Sequence, residues 1–127
     1  MKQKVYLVAR LLLGLNFFVF GLNGFFNFMP APPPMPEGAQ AYLGGLMAAG
    51  YFFPVLKFTE VVCGLALLSG FFAPLALIIL APITIQIFLF HFFLTPGQWT
   101  IAAVIFVVHL VAARGYWDRF RPLLQPR

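Results

Sequence analysis

A few polar side chains set in long apolar stretches are where chemistry could reside in this chain. Lys57 and Glu60 stand three residues apart, so in a helix they meet on one face, and Gly64 continues that face. A carboxylate beside an ammonium in an apolar medium has two readings: an ion pair that glues helices, or a protonatable or ligand-contacting group. Asn16, Asn23 and Asn27 form a polar stripe on one side of the first apolar run, where they should face neighbouring helices or a hydrated pocket. In the third run Thr84, Phe88 and His91 share a face, and Gln86 lies on the other side. Arg10 sits roughly 7 Å inside the first run, within reach of the membrane surface by snorkelling or of an ion-pair partner in the bundle. His109 is the single polar residue of the fourth run. A haem held by His91 and His109 is disfavoured by depth, because the first lies a few ångströms below the outer surface and the second about 16 Å below it. Each histidine alone reads better as a hydrogen-bonded core or interfacial residue. Cys63 is the sole cysteine, which excludes an intrachain disulfide, a CxxC pair, an iron–sulfur cluster and a cysteine zinc site. No HExxH, Walker loop, GxGxxG or nucleophile elbow is present, and no metal site is expected.

The elements that must position these groups follow from composition. The 127 residues suffice for one domain. Hydrophobic residues make up 62% and charged residues 9%, against about 45–50% and about 25% in ordinary globular proteins. There are 17 phenylalanines, and the mean hydropathy is +0.95. A small soluble domain exposes too much surface for so few charges to keep wet. Composition therefore excludes a soluble globular protein, a disordered chain and a nucleic-acid binder, and makes lipid the solvent. The net charge of +5 resides mostly at the ends, in Lys2, Lys4, Arg114, Arg119, Arg121 and Arg127, as suits cytoplasmic flanks of membrane spans.

Four segments have spanning length: about 5–28, 51–72, 73–94 and 98–116. Ser69-Gly70 and Pro74 separate the second from the third, and Thr95-Pro96-Gly97 the third from the fourth. The expected fold is all-α: one four-span transmembrane helical bundle over residues 1–127, up-down, with a short interfacial or re-entrant helix between spans 1 and 2. That helix falls in the outer loop 29–50, after a proline-rich stretch at 29–36 that reads as extended chain. The apolar stretch from Val5 to Phe28 is too long for a signal-peptide core, so the first span is expected to be retained. With four spans both termini share one side, and the positive-inside rule makes it cytoplasmic.

Two features of these spans stand out. Arg10, Gly14 and Gly21 fall within about 40° of one another on a helix, with Gly24 close by, which marks a packing face because small residues admit another backbone. In the second span each charge costs about 2.5–3.5 kcal/mol near the membrane centre, and each Leu, Ile, Phe or Val returns about 0.3–0.6 kcal/mol. The twelve such residues at 51–72 return roughly 4–7 kcal/mol, close to the cost of Lys57 and Glu60 together. The span is marginal alone and needs the bundle. Pro82 leaves the Ile78 carbonyl without its helical donor, which predicts a kink or hydrated spot in the third span.

The opening ARLLLGLNFFVFGLNGFFNF, the hairpin LKFTEVVCGLALLSGFFAPLALIILAP and the segment FLFHFFLTPGQW resemble the DoxX and DoxX-like family of small four-helix membrane proteins. Arg10, Glu60 and Gly64 stand at family-like positions. The resemblance implies a bacterial cytoplasmic membrane protein tied to membrane redox or to oxidative or thiol stress. The chain itself lacks the cysteines that an autonomous thiol chemistry needs, which argues against independent redox catalysis. The expected function is an accessory redox or stress subunit with a polar intramembrane pocket for a small amphipathic ligand such as a quinone. Glu60, Lys57, Asn16, Asn23 and Gln86 are the expected lining, with Arg10 and His91 as further candidates and Gly14, Gly21 and Gly64 as packing positions. Expected partners are the bilayer, a redox subunit or a second copy of the chain. The alternatives are a non-catalytic scaffold or assembly factor and, at this size the weaker reading, a small transporter.

Overall fold

The computed structural model describes residues 2–26, 28, 35–95, 97 and 99–125. Asn27, most of the proline stretch, Pro96 and Gln98 lie outside the described residues. Among those described there are six α-helices and no strand. They are α1 (Lys2–Phe26), α2 (Glu37–Ala48), α3 (Phe52–Ser69), α4 (Ala73–Leu94), α5 (Trp99–Arg114) and α6 (Trp117–Phe120), the last running into a 3₁₀ turn over Arg121–Leu124. By length and composition α1, α3 and α4 can cross a membrane, and α5 joins them if it is counted together with the segment after it.

That fourth element departs from the expected continuous helix to residue 116. The helix stops at Arg114, and the chain turns by 78° into Trp117–Leu124. The cause is local. The Gly115 amide is shared between the Val111 and Ala112 carbonyls, which ends the ladder, and a Cβ at Gly115 would lie 2.8 Å from Tyr6 Cβ on α1. The α3–α4 turn is tight for a similar reason: Gly70 closes α3 in the left-handed region at φ 87° and bonds back to the Ala66 carbonyl. Phe72 also takes a positive φ, 59°, which a bulky residue rarely does.

The four long helices form a ring in which α1 packs on α3 and α5, and α4 packs on the same two. Helix α2 rests on α3 and α4. The α1–α3 contact is built on glycine. A Cβ at Gly14 would lie 2.8 Å from Leu67 Cβ, one at Gly21 3.0 Å from the Val61 nitrogen, and one at Gly64 2.6 Å from the Phe18 nitrogen and 2.9 Å from the Gly14 oxygen. The two backbones are therefore in direct contact along this seam and run in opposite directions. In an apolar solvent, where burying a side chain gains little, such dispersion contact is what drives helices together.

Leu13, Phe17, Leu67, Leu77 and Leu80 fill the centre, with Cys63 among them. Most of the remaining apolar mass faces outward: Phe58, Ile101, Phe71 and many others are exposed. A water-soluble fold would expose no such continuous apolar surface, so the surface agrees with the composition in requiring lipid around it.

The glycine seam makes a contrast that can be measured. Alanine is favoured over glycine in a helix by about 1 kcal/mol, so an uncrowded glycine gains from the change. Gly64→Ala meets backbone on the far side and should lose about 1–3 kcal/mol to overpacking, read as a clear fall in Tm in detergent. Gly44→Ala on α2, where an added Cβ meets nothing within 4 Å, should leave Tm unchanged or raise it slightly.

Candidate functional site

Between the helices lies a cavity of about 830 Å³, walled by α1, α3, α4 and α5 and covered by α2. Its lining is mainly aromatic and aliphatic, including Phe17, Phe20, Phe52, Phe53, Ile87 and Phe90. Into this apolar space come seven polar side chains: Asn16, Tyr42, Lys57, Glu60, Gln86, His91 and Thr100. An apolar cavity with a few convergent polar groups is the usual form of a small-molecule site.

Glu60 is the deepest of these, 4% exposed, and Lys57 Nζ lies 3.4 Å from Glu60 Oε1. The α1 glycines place both. Gly21 leaves the room that Glu60 Cβ occupies, and Gly24 leaves a trough for the Lys57 stem. The seam that joins α1 to α3 is thus also what sets the carboxylate and ammonium against the cavity wall. One Lys57 proton points at Glu60 and the other two donors remain for a ligand. Pro82 stands on the α4 wall within an unbroken helix, where it withholds the amide that would cap the Ile78 carbonyl.

The cover is attached by its own contacts. Gln86 Nε2 donates to the Tyr42 hydroxyl at 2.5 Å, the Tyr42 and Phe90 rings lie 5.7 Å apart, and Ala39 is fully buried. The Tyr42 hydrogen and the Gln86 carbonyl stay available. His91 Nδ1 donates to the Ile87 carbonyl at 2.7 Å. Since a carbonyl can only accept, this fixes the proton on Nδ1 and leaves Nε2 as an acceptor when the ring is neutral.

Of the sequence candidates, Glu60, Lys57, Asn16, Gln86 and His91 come together here, while Asn23 and Arg10 are not in the lining. Arg10 is the larger correction. It lies on the α1–α3 face but near the far end of α3, beside Gly70, where Nη1 donates to the Tyr116 hydroxyl at 3.1 Å. Six residues, or roughly 9 Å of helix, separate it from Asn16. Two further polar groups of the lining, Tyr42 and Thr100, carry no signal in the sequence. Tyr42 belongs to a segment where no spacing rule singles out one residue, and Thr100 lies at the start of α5, just past a turn. His109 is not in the lining either. Its Nε2 donates to the Leu77 carbonyl at 3.0 Å, so Nδ1 accepts from the Thr84 hydroxyl at 2.9 Å, and both ring nitrogens serve to tie α5 to α4. A second groove, of about 370 Å³, runs along the junction of α1 and α5 and is lined by Lys4 and otherwise by aliphatic side chains such as Val8, Leu12 and Val108.

A family model described as DoxX matches residues 5–93 of the chain. No curated protein and no solved structure matches it.

If Tyr42 and Gln86 hold the cover, Tyr42→Phe should free α2 without disturbing the ring of long helices. Amide hydrogen exchange within Glu37–Ala48 should speed up about three- to tenfold, the equivalent of losing one hydrogen bond of about 0.5–1.5 kcal/mol, while exchange in α3 and α4 stays as it was.

Proposed function

The chain belongs to the DoxX family of membrane proteins, and from that membership and the cavity at Glu60 we propose that it is an accessory subunit of a membrane redox or oxidative/thiol-stress system that holds a small amphipathic ligand, such as a quinone, within the bundle. The observation that carries this reading is the coincidence of a buried Glu60, paired with a half-buried Lys57, and an aromatic-walled cavity. A charge pair used only to glue helices gains nothing from an adjoining space of this size.

In the same reading α1, α3, α4 and α5 are four alternating spans, with the basic termini on the cytoplasmic side of a bacterial plasma membrane and α2 on the outer side. The lining suits a planar headgroup with carbonyl oxygens. Aromatic walls take its faces, and Lys57, Asn16 and Gln86 offer donors to its oxygens. When bound, a quinone supplies two-electron acceptor chemistry. The chain's own contribution is to bind, to orient and to keep a carboxylate beside the ammonium that faces the ligand. Glu60 acts here as the group that holds Lys57 at the wall and sets its charge.

Glu60→Gln tests this. The amide is isosteric and should fold, with Tm within a few degrees of the parent. Binding of a short-chain quinone to the purified protein should weaken about tenfold, which corresponds to about 1.4 kcal/mol, and resistance to oxidative stress should fall in cells that rely on this chain. Unchanged binding and unchanged resistance would reduce the pair to a helix cross-link. Copurification with one stable partner despite such a result would favour a scaffold. Solute flux into proteoliposomes would favour a transporter.

A further inference from the structure

Arg10 takes no part in the cavity, yet its position demands an explanation. It lies within the most apolar part of α1's first half, and a charge held there is costly unless it has a counter-group. Snorkelling does not describe it: a snorkelling arginine ends in solvent, whereas Arg10 is drawn inward among α1, the end of α3 and the bend after α5. Nη1 donates to the Tyr116 hydroxyl at 3.1 Å, and Nε is fully buried with no acceptor. Gly70 makes this placement possible, since a Cβ there would stand 3.1 Å from Nη1. Among the described residues no carboxylate pairs with Arg10, for Glu60 is held by Lys57, Glu37 lies on α2 and the exposed Asp118 does not reach it. Among the described residues the guanidinium charge therefore has no counter-charge, and Nε has no acceptor.

The surroundings specify what should receive them. Tyr116 accepts from Arg10, so its own hydroxyl hydrogen is free to donate alongside the guanidinium. Arg114, Arg119 and Arg121 stand exposed on the segments either side of Tyr116. Phe71 and Phe72 on the α3–α4 turn next to Gly70, and Trp117, Leu123 and Leu124 after the 78° bend, are exposed large apolar groups at the same end. Apolar side chains alternating with arginines around a recessed donor pair describe a site at a membrane–water boundary. We propose that Arg10 and Tyr116 form a seat for a phosphate-type oxyanion at the base of the bundle, and that the surrounding apolar groups make a phospholipid headgroup its source. Arginine suits this because its planar fork gives two parallel hydrogen bonds to phosphate oxygens. A phosphate there bridges α1 and the bend at Tyr116, beside the α3–α4 turn.

The test uses the full chain, delipidated in neutral detergent, and native mass spectrometry. The probes are phosphatidylglycerol, diacylglycerol (the same acyl chains without phosphate) and inorganic phosphate. The parent should retain one phosphatidylglycerol at least fivefold more than Arg10→Gln does, and should not retain diacylglycerol. Arg10→Lys keeps the charge but not the fork and should lose most of the retention; Tyr116→Phe should lose about half. If inorganic phosphate displaces the lipid in an Arg10-dependent way, the seat stands and its source is the free anion. Equal lipid retention by the parent and Arg10→Gln, or retention of diacylglycerol as strong as that of phosphatidylglycerol, overturns the proposal. Should Arg10→Gln fail to fold, the decision passes to Arg10→Lys and Tyr116→Phe, and parental retention in both overturns it equally.

Discussion

Backbone contact between α1 and α3 is the constraint from which the rest of the structure follows. Gly14, Gly21 and Gly64 bring two main chains to within a distance that no side chain permits. In water such a seam would be one contribution among many, because burying apolar side chains would dominate. In lipid that driving force is absent between helices, so close dispersion contact carries the association. The same seam decides where the charges go. With α1 and α3 this close, Glu60 and Lys57 have room only where Gly21 and Gly24 provide it, which is against the cavity. Packing and site are one arrangement.

Much of this was legible in the residues, because lipid solvent leaves a simple imprint. Apolar length marked α1, α3 and α4 to within a few residues, and the turn residues at 69–70 and 95–97 marked the breaks. The i,i+3 spacing of Lys57 and Glu60 predicted their pairing, and the spacing of Gly14 and Gly21 predicted a packing face. Helical periodicity reports which side of a helix a residue is on. It does not report how far along the bundle a neighbour contacts it. Arg10 thus shares the α1–α3 face with the cavity side of that seam and yet lies near the opposite end of α3. Tyr42 and Thr100 were missed for a related reason: one is on a short helix whose docking depends on tertiary contacts, the other follows a turn whose angle sequence does not fix. At the 78° bend after α5, Gly115 also packs against Tyr6, a contact between residues more than a hundred positions apart that spacing along α5 does not show.

The two ends of the bundle also differ in kind. At one end the cavity gathers polar groups that partly satisfy one another, Lys57 with Glu60 and Gln86 with Tyr42. At the other, a cation is held by a single phenol and a glycine that makes way for it. Between them the centre is filled by leucine, alanine and Phe17. A polar path from end to end would have to pass this plug.

The Thr84–His109–Leu77 link has a mechanical consequence. Its two hydrogen bonds fix α5 against α4 in both register and rotation, since a slide of one residue, about 1.5 Å, would break both and leave a buried imidazole unsatisfied. That side of the cavity behaves as a fixed jaw. Helix α2, tied by Gln86–Tyr42 and a ring contact, is the compliant side, so widening the mouth costs least by lifting α2 and most by parting α4 from α5.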